Sequence, residues 1–156
     1  MGKRRFSRES AFQLLYSQQF TNHDRHEAIA LFGSMQDAET RPPDEFTARL
    51  LEVHDTNEEA IVSALEKCLE NWTSDRLTVF DRSLLRLAAT EMLYFRDVPP
   101  RVVINEYLEI AKDYGTEESP KFLNGVLDRL YHGLAKDNPD IPPPNFNSRR
   151  STKKTT

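Results

Sequence analysis

Two short stretches hold the side chains best suited to chemistry. The N-terminus, "MGKRRFSRES", gathers Lys3, Arg4, Arg5 and Arg8. Far along the chain, "SPKFLNGVLDRL" (Ser119 to Leu130) sets Lys121 beside Phe122, followed at once by an Asn-Gly pair. Cations neutralise phosphates and an exposed ring offers a stacking face, so both stretches suit a polyanion better than a reaction. Catalytic alternatives are weak. The adjacent carboxylates Glu58–Glu59 and Glu117–Glu118 would point about 100° apart on a helix and make poor acid/base pairs. There is no nucleophile–base set and no glycine-rich phosphate loop. Cys68 is the only cysteine, and His23, His26, His54 and His132 have no companion ligands at metal-binding spacing, so neither a disulfide nor a metal is expected.

The charge distribution agrees with that chemistry. The formal net charge is −4. Residues 11–144 carry 13 basic and 24 acidic side chains, a balance of −11, while the two ends carry eight basic and one acidic, +7. Charge alone supports two readings equally: basic arms for a polyanion, or ends that aid solubility.

The Asn124–Gly125 pair poses its own question, because such pairs usually mark a hairpin. Leu123, Val126, Leu127, Leu130 and Leu134 instead recur at helical spacing. A helix that keeps Gly125 gives up about 1 kcal/mol relative to alanine. On a helical wheel Gly125 faces away from the leucine stripe, one turn beyond Lys121, leaving bare backbone beside a cation and a ring. Packing against another helix of the chain is the first expectation; a partner's backbone or a nucleotide is the second.

The elements that must position these residues are helical throughout, and about seven are predicted. The first runs from Ser7, as cap, to about Phe20, with Ala11, Phe12, Leu14, Leu15 and Tyr16 on a broad apolar face. Asp24 and Glu27 resemble a capping box for a second, through about Met35. Phe46, Leu50, Leu51 and Val53 define a third. Thr56 and Glu59 resemble another capping box before Ile61, Leu65 and Leu69. Leu77 to Phe95 is the most apolar segment and is predicted as the central buried helix, stopped by "DVPP". A sixth helix carries Val103, Ile104, Tyr107, Leu108 and Ala111 and stops at Gly115. Ser119 caps the seventh, with Pro120 at its first position.

After Lys136, "DNPDIPPPNFNSRRSTKKTT" cannot build a core and is expected to be a flexible basic tail, with Ile141 and Phe146 as the candidate points of attachment. The expectation is one all-α domain over residues 1–135 and a tail over 136–156. With no signal-peptide pattern and no apolar run long enough to cross a membrane, a cytoplasmic protein is expected.

Three stretches together resemble one family. "INEYLEIAKDYGTEES" followed by "KFLNGVLDRL", "RRFSRESAFQLLYSQQF" and "DRLTVFDRSLLRLAATEMLYFRDVPPRVVINE" are similar, in order and spacing, to the NusB family of bacterial transcription antitermination factors. The resemblance covers most of residues 4–134. It implies two small helical bundles packed N-terminal to C-terminal, no cofactor and no catalysis. It implies binding to the boxA element of nascent ribosomal RNA together with NusE, a small-subunit ribosomal protein, within an RNA polymerase antitermination complex. A NusB-like domain also precedes the catalytic domain of certain rRNA methyltransferases, but a free-standing factor is expected here. The resemblance permits monomers and homodimers.

The same resemblance implies site residues. Lys3, Arg4, Arg5 and Arg8, with Lys121 and Phe122, correspond to the family's RNA surface, and Tyr16 joins them if the first helix reaches back to Arg5. Phe12 is expected in the core. Glu118 stands beside this surface, where a carboxylate would repel phosphates. The NusE side corresponds to Asp75, Arg76, Asp81, Arg82 and Arg86. Asp81 and Arg86 equally suit structural roles, a helix-dipole contact and an ion pair. Glu91, Asn105 and Glu106 are expected to be hydrogen-bonded structure. A helical adaptor without specific RNA binding is the alternative function.

Overall fold

The computed structural model describes residues 2–18, 45–69, 78–95 and 97–137, and these are helical apart from short connections. Six helices are present among the described residues: α1 (Gly2–Gln18), α2 (Glu45–Thr56), α3 (Glu58–Cys68), α4 (Val79–Tyr94), α5 (Pro100–Tyr114) and α6 (Ser119–Asp137). The helix expected over 24–35 and the tail after Lys136, with Ile141 and Phe146, lie outside the described residues, except that α6 continues to Asp137.

α4 is the central helix, as its apolar sequence requires. It packs against α1, α2, α3, α5 and α6. Leu84, Leu85, Leu87, Ala88 and Ala89 in its middle are buried, with Arg86 between them half-buried. Around it α1 pairs with α2, and α6 pairs with both α5 and α3. Thr78 caps α4, its Oγ1 accepting from the Asp81 N–H at 3.0 Å. No helix among the described residues is long and apolar enough to cross a membrane.

Three helix boundaries differ from the sequence expectation, each for a local reason. α1 starts at Gly2, not Ser7. Ser7 is buried in its second turn, and its carbonyl accepts from the Thr47 hydroxyl of α2 at 3.1 Å. Thr56 does not cap α3; it ends α2, and Asn57 stands between the two helices. The Asn57 side-chain amide turns back to donate to the Val53 carbonyl at 2.9 Å, which closes α2 and leaves α3 without a side-chain cap. Ser119 lies inside α6, and its Oγ accepts from the Thr116 N–H at 3.3 Å. The first α6 bond is instead accepted by the Glu118 carbonyl, from Phe122 N–H at 3.0 Å.

Gly115 does end α5, but its φ of −101° is open to any residue. What demands glycine is space. A Cβ there would lie 2.6 Å from Phe80 Cε2, 2.8 Å from Ser119 Oγ and 2.9 Å from the Ala111 carbonyl oxygen. This glycine lets the α5–α6 turn sit against the start of α4.

Candidate nucleic-acid interface

The arginines of α1 meet three different environments. Arg8 lies one turn inside the helix and is 3% exposed. Its Nε and Nη2 donate to the two carboxylate oxygens of Glu91 on α4, at 2.6 and 2.9 Å. Tyr107 Oη of α5 donates to the same carboxylate at 2.6 Å. A buried charge is tolerable only when paired and hydrogen-bonded this fully. Burial works against the Arg8 charge, yet Glu91 more than offsets it and raises the guanidinium's pKa. Tyr107 is pushed well above the ordinary tyrosine value, first by burial and then by the Glu91 charge. The expectation of Arg8 as a phosphate contact is therefore corrected: its turn carries Ala11, Phe12 and Leu15 into the core, and Arg8 goes with them to close an ionic triad.

Arg5 is intermediate. Its Nε donates to Glu106 Oε1 at 2.6 Å, and the side chain keeps 30% of its surface exposed. Arg4 is exposed, its guanidinium 4.1 Å above the Phe46 ring. Lys3 occupies the first turn of α1. Glu91 and Glu106 are hydrogen-bonded, as expected, whereas Asn105 is exposed and has no such bond among the described residues.

The far end of α1 meets a cluster of rings. Phe12 is buried in the core, as expected, and Tyr16 stacks on it at 5.5 Å with 28° between planes. Phe80, at the start of α4, meets Phe12 edge to face at 5.0 Å, and Tyr114, at the end of α5, lies 6.4 Å from it. Tyr16 is half-buried and Tyr114 is 51% exposed, so the cluster reaches the surface beside the α5–α6 turn. Just past that turn, Glu118 and Lys121 are exposed, and Phe122 rests half-buried against the core. α1 lies alongside α5 in the same direction, from Arg5–Glu106 to Phe12–Tyr114. Arg4 and Tyr16 are twelve residues apart, about 18 Å along the helix axis. Between them lies Glu9, whose pKa is raised chiefly by burial and further by the nearby Asp113 charge.

Gly125 answers its question partly here. A Cβ on it would meet nothing within 4 Å, so the packed-helix expectation fails among the described residues. The bare backbone faces open space, one turn past exposed Lys121.

Residues 5–132 match the model of the NusB family. The chain belongs to the NusB family. It is 37% identical over 149 residues to the transcription antitermination protein NusB of Syntrophus aciditrophicus (strain SB), covering 92% of this chain and 91% of that protein. NusB of T. maritima superposes with a TM-score of 0.72 at 36% identity, covering 81% of this chain and 89% of that one. The antitermination factors NusB and NusE, solved in complex with double-stranded RNA, include a chain that superposes with a TM-score of 0.75 at 26% identity, covering 85% of this chain and 98% of that one.

Of the residues expected on the NusE side of this NusB-family chain, the three described ones lie on α4. Asp75 and Arg76 lie outside the described residues. Asp81 sits in the first turn of α4, as the dipole reading requires, yet its Oδ1 is buried without a hydrogen-bond partner. Arg82 is half-buried. Arg86 donates to Glu58 at 2.9 Å and ties α4 to α3, which realises the ion-pair reading. Sequence reasoning missed Tyr114 as a surface aromatic. The available signal was its place immediately before Gly115, seven residues ahead of Lys121.

Proposed function

We propose that this NusB-family chain is a transcription antitermination factor that binds boxA RNA of nascent ribosomal RNA together with NusE, acting in the cytoplasm by binding and not by catalysis. The observation that carries the reading is the match, over 98% of its length, to a chain solved with NusE and RNA. The geometry adds a chemical reason. Exposed Lys121 and Arg4, with the rings of Tyr16, Tyr114 and Phe122, supply the phosphate and stacking contacts that single-stranded RNA needs. Arg5 contributes from its half-exposed pair with Glu106, and Lys3 from the same turn. Residues 1–135 form the binding domain in this reading, and the basic part of 136–156 can add phosphate contacts.

Fluorescence anisotropy tests it directly. A single-stranded boxA-like RNA is titrated with and without NusE, beside a shuffled RNA of equal length and a boxA duplex. A Lys121→Ala/Phe122→Ala variant runs in parallel. Binding that prefers boxA, strengthens with NusE and weakens at least tenfold in the variant supports the reading; loss of one stacked ring and one cation accounts for that size. Equal binding to all RNAs, unmoved by NusE or by the variant, replaces it with a helical adaptor carrying generic polyanion affinity.

A further inference from the structure

We propose that Arg49 on α2 is an additional phosphate contact, and that Arg4 and Arg49 together extend the RNA surface from α1 onto α2. The inference rests on the RNA-binding reading above and deepens it.

The rings of Phe46, near the start of α2, and Phe95, at the end of α4, meet edge to face at 5.6 Å. Each carries a cation. Arg4 lies 4.1 Å over Phe46, and Arg49 lies 5.3 Å from the centroid of Phe95. Arg8 also approaches Phe46, at 5.6 Å, but its guanidinium is committed to Glu91. Both Arg4 and Arg49 are exposed.

Several of the described arginines are already committed. Arg5, Arg8 and Arg86 hold carboxylates at 2.6 to 2.9 Å, and Arg129 donates to the Cys68 carbonyl at 2.8 Å. Arg4 and Arg49 hold rings. Glu45 and Glu52, one helical turn either side of Arg49, form no ion pair with it among the described residues. An arginine that merely shields a ring can still pair its charge with an acid. These two keep their N–H edges and charge available, on side chains already ordered by the rings. Ordering before binding lowers the entropic cost of a contact.

Laid end to end, the three contacts keep the two guanidinium carbons within about 15 Å, a span of a few phosphates on one strand. The occupant that fits is a polyanion. A small ribosomal protein such as NusE is itself basic and would be repelled by two unpaired arginines.

The test compares wild type, Arg49→Gln and Arg49→Lys with the boxA-like RNA at several salt concentrations, without and with NusE, alongside melting curves. Arg49→Gln is expected to weaken binding about three- to tenfold at low salt and to flatten the slope of log K against log salt by about 0.7 to 1. Its melting temperature should stay near that of wild type, since Arg49 is exposed. Arg49→Lys should retain the slope and lose only part of the affinity. Unchanged affinity and slope in Arg49→Gln overturn the proposal, as does a loss seen only with NusE present. If boxA preference and NusE enhancement are absent while Arg49→Gln still flattens the slope on any RNA, the antitermination reading fails and the phosphate contact stands.

Discussion

Arg4 and Arg8 stand one turn apart on nearly the same face of α1, and they do opposite things. Arg8 is buried against Glu91 and Tyr107, where a charge survives only because every polar neighbour is committed to it. Arg4 is exposed on a ring, its charge unspent. The difference comes from depth along the helix axis and not from angle around it. α2 and α4 bond the second turn of α1 through Thr47 and Glu91, whereas Arg4 in the first turn meets the Phe46 ring and solvent. A buried, paired arginine and an exposed one are therefore separated by what packs over them. Gly115 and Gly125 repeat the lesson: one is crowded by Phe80, Ser119 and Ala111, and the other faces open space.

The largest expected effect breaks the buried member of the first pair. Arg8→Ala leaves Glu91 charged and uncompensated in the core, a loss of about 3–5 kcal/mol in urea unfolding. At a temperature where the variant remains folded, its RNA affinity should stay within about twofold of wild type, because a core arginine adds one screened charge at most. A selective loss of RNA binding with stability intact would reverse the assignment of Arg8.

Tyr107→Phe probes the same triad more gently. It removes one bond to Glu91, at a cost of about 1–3 kcal/mol near neutral pH. It also changes the alkaline limb. The folded chain holds the Tyr107 phenol protonated while the unfolded chain ionises it above the ordinary value of 10.0. Stability from this group is therefore full below pH 10.0 and falls as pH rises beyond it. Unfolding midpoints should drop less steeply above that pH in Tyr107→Phe than in wild type.

The glycines sharpen the comparison in opposite directions. Gly115→Ala should destabilise by about 1–3 kcal/mol, since its Cβ meets a backbone oxygen as well as side chains. Gly125→Ala should stabilise by about 0.4–1 kcal/mol, because the helix gains a better former without a clash. If RNA approaches the bare backbone there, the same substitution weakens anisotropy binding while the melting temperature rises. Unchanged RNA affinity would leave Gly125 without a role at the surface. The smallest effect is expected from Glu118→Asn, about a twofold gain in RNA affinity by filter binding as one exposed repulsive charge is removed. Weaker or unchanged binding would show that Glu118 orients Lys121 instead.

The helices with strong apolar periodicity were legible from residues alone. Leu84, Leu87, Ala88 and Met92 announced α4 as central, and Leu123, Val126, Leu127 and Leu130 kept α6 helical through an Asn-Gly pair. Boundaries were less legible where one side chain had two available uses. Asn57 turns back to α2 where Thr56 was expected to cap α3, and Ser119 bonds the turn before it where a cap of α6 was expected. Of the residues that the resemblance assigned to the RNA surface, Lys121 and Arg4 are exposed and Arg8 is buried, a difference no local pattern announced.

Periodicity, caps and charge distribution are properties of neighbouring residues, so the sequence by itself determined an all-helical chain with an acidic body, basic ends and a central α4. Which cations remain free, which glycine is crowded and which rings reach the surface depend on residues far apart in the chain. Arg8 meets Glu91 across 83 positions, and Arg5 meets Glu106 across 101. Such pairings exist only once α1 has packed against α4 and α5. Burial then makes an unpaired charge too costly to keep, and that cost, set by tertiary structure, divides the core arginine from the exposed ones.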